Sequence, residues 1–233
     1  MHPEIKYHHK DNMEFMASLP DNYYDLVIAD PEQGKQEHGG TNRSGFVKQK
    51  NGSKMYVQDG GFVKKDWDYK PASNEYFYEL IRISKHQIIW GVQYFDRYFG
   101  QGRIVWDKVN GDNDQYDCEL AYCSLNNRTE LFRFMWSGML QGKNMKEGHV
   151  MQGNKKLNEK RLHPTHKPSV LYKWTFLHYD IPKEWKIFDP NLGSGCGNDC
   201  NSYKARNGKS GRCINSGYCY ERGEEVTLKL KTK

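Results

Sequence analysis

The chain has 233 residues, with 35 Lys and Arg against 29 Asp and Glu, and its formal charge of +6 suits contact with a polyanion. A mean hydropathy of -0.95 argues against a membrane protein, and an aromatic fraction of 14% argues against a featureless disordered chain. The length fits one core over residues 1–233, the opening MHPEIKYHHK lacks the apolar stretch of a signal peptide, and the cysteines are too dilute for a disulfide-built fold, so a cytoplasmic protein is expected.

The first strong element is Tyr23 to Pro31, an apolar burst that ends in Asp30 and a proline. A buried parallel strand ends this way when it delivers a polar residue to the carboxyl edge of a sheet, so Asp30 is a candidate site residue. Residues 32–61 turn to Gly, Lys, Gln, Asn and Ser, which predicts a mobile polar loop able to lie over a site or over DNA. NEYFYELIRIS then reads as a helix that turns Tyr76, Phe77, Leu80 and Ile81 toward a sheet. Gln87 to Gly91, GRIVWDK, CELAYCS and TELFRFMWSG follow as strands, the last with Arg133 exposed. Residues 140–161 form a second polar loop, whose Lys143, Lys146, Lys155, Lys156, Lys160 and Arg161 offer a phosphate-facing patch or a plain solvated surface. SVLYKWTFLHYD is expected to be a helix that brings Val170, Leu171, Trp174 and Leu177 to the core. It leads into Trp185 to Pro190, a strand that again ends in an acid, Asp189, and the run closes with an edge strand at Glu225 to Leu230. Strands alternating with helices predict an α/β fold.

Two short segments carry candidate chemistry. Asp189-Pro190-Asn191-Leu192-Gly193-Ser194-Gly195 combines an acid with glycines that let backbone approach a bulky ligand, and it lacks the Lys-Ser/Thr end of a nucleotide phosphate loop. His163-Pro164-Thr165-His166-Lys167-Pro168 is a stiff, polar lead into the helix that follows. Cys196, Cys200, Cys213 and Cys219 do not form two compact Cys-x-x-Cys arms, so no metal centre is expected.

Together these blocks resemble the DNA adenine-N6 or cytosine-N4 methyltransferase family, in particular small phage and bacterial enzymes whose catalytic strand precedes the glycine-rich cofactor strand. The family's Asp-Pro-Pro-Tyr corresponds to Asp30-Pro31-Glu32-Gln33, its His-Pro-Thr-Gln-Lys-Pro to His163 through Pro168, and its cofactor turn to Asp189 through Gly195. The resemblance runs from about Ile5 to Asp189 and implies a Rossmann-like, S-adenosylmethionine-dependent sheet. It implies methyl transfer from that cofactor to the exocyclic N6 of adenine in double-stranded DNA with the target base flipped out. Asp30, Pro31, Glu32 and Gln33 would form the catalytic block. His163, Thr165, Lys167, Asp189, Asn191, Gly193, Ser194 and Gly195 would form the cofactor site. A homodimer or a partner subunit is also implied.

The chain departs from the pattern in two places. Gln33 stands where the family places a base-stacking Tyr, and Glu32 replaces the second Pro. A different substrate, an aromatic supplied by a loop such as Phe46 or Tyr56, or loss of activity each accommodates the change. Cys213, followed by Asn215, stands where related enzymes place a ribose-binding acid. The alternative function is a catalytically inactive descendant that binds DNA or regulates a partner.

Overall fold

The computed structural model describes residues 8, 10–35, 45–48, 52, 54–57, 69–110, 117–137, 140–161, 165–192, 213–214 and 218–219. A short helix α1 (Asn12–Ala17) opens on Asp11, whose carboxylate accepts the otherwise unpaired N–H groups of Met13 and Glu14. Strand β1 (Tyr24–Ala29) follows, then a hairpin of β2 (Gly45–Lys48) and β3 (Lys54–Val57). Helix α2 (Asn74–Arg82), capped by Ser73, runs directly into β4 (Ser84–Trp90). The chain continues through β5 (Arg103–Asp107), β6 (Cys118–Cys123), β7 (Thr129–Arg133), a small hairpin of β8 (Trp136–Ser137) and β9 (Leu140–Gln141), and α3 (Ser169–His178). It then adds β10 (Ile187–Phe188) and the pair β11 (Cys213–Ile214) and β12 (Tyr218–Cys219).

Six strands form the central sheet in the order β10-β1-β4-β6-β5-β7. β10, β1 and β4 are parallel, β6 runs against both of its neighbours, and β5 and β7 are parallel to each other. This is a mixed α/β fold of general Rossmann-like architecture, a central sheet flanked by helices. Strand pleating divides the core in two. Leu26, Ile28, Ile88, Trp90, Ile104 and Trp106 meet Leu171 and Tyr172 of α3 on one side, while Val27, Ala29 and Ile89 meet Met16 of α1 and Phe77 and Leu80 of α2 on the other. Burial on both faces explains why β1 reads as a continuous apolar run instead of alternating.

Three expectations change. Ile81 is 38% exposed, because it lies one step further round α2 than Phe77, at the rim of the buried stripe. Leu177 is 50% exposed, while Tyr172 and Thr175 face the core in its place. Apolar residues surround α3 on most sides, so their spacing does not select a face, and Thr175 tolerates burial because its hydroxyl donates to the Leu171 carbonyl at 2.9 Å. The stretch expected to be a polar loop at 32–61 contains the β2–β3 hairpin, whose alternating GFVK and KMYV segments are short strand patterns inside a polar composition. The edge strand expected at 225–230 lies outside the described residues. No described helix is long and apolar enough to cross a membrane.

Candidate functional site

Parallel pairing of β1 with β10, in the register Leu26↔Ile187 and Val27↔Phe188, releases both acid-bearing segments at the same edge of the sheet. Asp30 and Asp189 therefore converge from distant parts of the sequence. Pro31 is buried just beyond β1, and having no N–H it ends the strand. The Glu32 carbonyl accepts the Ala72 N–H at 2.9 Å, and Gln33 bridges to Pro71, tying this block to the segment that enters α2. The Gln33 side chain folds back, and its amide donates to Asp30 Oδ1 at 3.3 Å. Space for that amide comes from Gly91 at the end of β4. Its φ is +76°, and a Cβ there would overlap the Gln33 side chain.

Lys167, two residues ahead of α3, is 5% exposed. Its Nζ lies 2.5 Å from Asp30 Oδ2, 3.3 Å from Glu119 Oε2, and 5.5 Å over the Trp90 ring. Glu119, from β6, also pairs with Lys108 at 2.5 Å just past the end of β5. Carboxylates and ammonium groups thus alternate from Asp30 through Lys167 and Glu119 to Lys108. Burial opposes charge on Glu119, but Lys167, Lys108 and Lys35 outweigh it and hold the carboxyl at about 2. Burial likewise opposes the Lys167 ammonium, yet Asp30 and Glu119 raise it to about 12.

Asp189 and Asn191 form a tight turn in which the Asn191 N–H donates to Asp189 Oδ1 at 2.9 Å, while Tyr76 Oη donates to Asn191 Oδ1 at 2.5 Å. Burial raises the Tyr76 hydroxyl well above its ordinary range, and the charges of Glu32, Asp189 and Asp30 raise it further. Burial and then Asp30 push Asp189 up to about 7, against the Asn191 N–H and Lys167.

In the segment before α3, Thr165 is half-buried and His166 is 4% exposed. The His166 carbonyl accepts the Trp136 Nε1–H at 2.8 Å, and its ring Nε2 lies 3.4 Å from Glu159 Oε1. Glu159 in turn accepts the Ser169 N–H and hydroxyl, so its carboxylate holds the start of α3. His163, Gly193, Ser194 and Gly195 lie outside the described residues. In the second polar loop Lys143 pairs with Glu147 at 3.0 Å, and Arg161 stacks 4.4 Å over Trp136, while Lys146, Lys155, Lys156 and Lys160 are exposed.

The sequence reading missed Glu119, Lys108 and Tyr76 as members of this edge. Glu119 had a usable signal, a lone acid inside the otherwise apolar CELAYCS strand. Tyr76 had none, because its ring belongs to the core and only its hydroxyl reaches the turn. Among the described residues no group of three or more His, Cys, Asp or Glu side chains is arranged to hold a metal ion. The chain matches no family model and no curated protein. The edge supplies a carboxylate held at both oxygens and a buried ammonium, beside the turn that carries Asp189.

Proposed function

We propose that the protein transfers a methyl group from S-adenosylmethionine to the exocyclic N6 of adenine in DNA. The convergence of Asp30, Lys167 and Asp189 on one sheet edge carries this reading, because the three blocks that resemble the methyltransferase family lie far apart in sequence. The order of strands supports it too: the strand leading to Asp30 comes first in the chain and pairs directly with the one leading to Asp189.

Charge at this edge supports cofactor binding. S-Adenosylmethionine carries a sulfonium and an ammonium, and Asp30, whose charge adds to burial in raising Asp189, favours such a cation. Asp189, Asn191 and Lys167 would hold it, and when bound it supplies an electrophilic methyl group. Asp30 accepts a hydrogen bond from the adenine amino group and turns the nitrogen lone pair toward the methyl donor, a positioning role. Gln33 and Lys167 fix Asp30 from opposite oxygens, and each oxygen retains a second lone pair for the substrate.

The test combines calorimetric titration of the folded, reduced protein with S-adenosylmethionine and methyl incorporation into unmodified DNA. Binding with incorporation is expected, and Asp30→Ala should abolish most incorporation while preserving the fold. Absence of cofactor binding, or an unchanged rate in Asp30→Ala, refutes the reading. One observation favours the second reading, a DNA-binding descendant without activity: the Gln33 amide folds onto Asp30 and offers no ring face to a base. Cofactor binding or DNA binding without incorporation would select it.

A further inference from the structure

The β2–β3 hairpin presents an aromatic pair to solvent. Phe46 and Tyr56 occupy one rung, their rings meet edge to face at 5.3 Å, and they are 72% and 59% exposed. Two other exposed rings are covered by cations: Arg97 lies 4.4 Å over Tyr78 and Lys186 4.5 Å over Tyr23. Among the described residues no cation lies over Phe46 or Tyr56.

The sequence that contains the pair is basic. Residues 43–65 hold six basic residues against Asp59, a formal +5 of the chain's +6. Lys54, exposed and two residues before Tyr56 on β3, shares the face of the aromatic rung by strand alternation. A polyanion running along that face would meet the Lys54 charge.

We propose that this face of the hairpin binds a DNA strand, with Phe46 and Tyr56 stacking on unpaired bases and Lys54 beside the phosphates. Aromatic rings beside basic residues suit this ligand, since every base has a face to stack and every nucleotide a charge to neutralise. The inference rests on the proposed DNA substrate, and it gives the chain an aromatic contact for an extruded base from an element other than the Gln33 block.

The test measures fluorescence anisotropy without S-adenosylmethionine, using a perfect duplex and the same duplex with one bulged adenine. The wild-type protein is expected to prefer the bulge, and Phe46→Ala/Tyr56→Ala is expected to lose about tenfold or more on it. That variant should match wild type on the perfect duplex and keep its salt dependence. Lys54→Gln should instead weaken both ligands similarly and lower the salt slope by about 1. Phe46→Leu/Tyr56→Leu, which keeps apolar bulk without a stacking face, should behave like the alanine variant, with circular dichroism confirming that each variant is folded. The proposal is overturned if the alanine variant retains the bulge preference, if the leucine variant restores it, or if wild type shows no preference. It is also overturned if the hairpin instead mediates self-association that the alanine variant dissolves. Failure of methyl transfer is read separately: a bulge preference without cofactor binding removes only the enzymatic reading, and methyl incorporation with an unaffected alanine variant removes only the hairpin's role.

Discussion

Replacing Lys167 with methionine keeps an unbranched side chain over Trp90 and removes the ammonium between Asp30 and Glu119. The rise of Lys167 from 10.5 to about 12 corresponds to about 2 kcal/mol of net stabilisation of its charged form. The drop of Glu119 from 4.5 to about 2 corresponds to about 3 kcal/mol, but that figure includes Lys108 and Lys35, which the substitution leaves in place. Both values describe the same contact from its two ends and are not summed, so Lys167→Met should cost about 2–3 kcal/mol, below the usual range for an orphaned buried charge because Lys108 still serves Glu119. For a domain of this size the melting temperature should fall by about 5–10 °C. The sign fixes the pH window. A depressed carboxyl stabilises fully above its ordinary 4.5 and loses that effect as pH falls toward 2, whereas a raised lysine stabilises fully below 10.5 and loses it as pH climbs through 12. Urea unfolding should therefore show the largest deficit of the variant near pH 7 and a smaller one near pH 3, with the urea slope unchanged. Adding Asp30→Asn to the variant removes the abandoned carboxylate and should couple with it by at least about 1 kcal/mol. Equal stability of variant and wild type at pH 7, or strict additivity in that cycle, refutes the charge-chain argument.

Gly91→Ala should lower stability by about 1–2 kcal/mol, since alanine is strained at φ +76° and its Cβ displaces the Gln33 amide. Thermal melts should show partial recovery when Gln33→Ala is added, and no loss in the single variant would contradict the left-handed reading of this turn. Asp189→Asn tests the acid raised to about 7. The folded protein keeps that proton after the unfolded chain has released its own near 3.8, so wild-type stability should fall as pH rises from about 4 to 7. Asparagine still offers an oxygen to the Asn191 N–H, so the variant should be more stable than wild type above pH 7 and equal to it below about pH 4. A difference independent of pH in melts at 4, 6 and 8 would count against the burial of Asp189.

The β1 run was legible because a strand buried on both faces must be apolar throughout, and α2 because Tyr76, Phe77 and Leu80 have helical spacing. Asp30, Lys167 and Asp189 could be named because each sits in a short segment with its own local reason to be there, a strand end or the lead into a helix. Their meeting could not be read from those segments. It depends on β10 pairing in parallel with β1 and on β6 entering between β4 and β5, and both follow from how the two core faces are shared among distant residues. The reversed β6 carries Glu119 to Lys167, and no local pattern encodes that contact. The same holds for Gln33. Its identity sets it apart from an aromatic, but only the space above Gly91 decides that its amide turns back onto Asp30. Composition likewise fixed the charge of residues 43–65, while strand register decided that Phe46, Tyr56 and Lys54 share one face. Spacing along the chain records which residues favour a helix, strand or turn; which of them touch is set by the packing of the whole sheet.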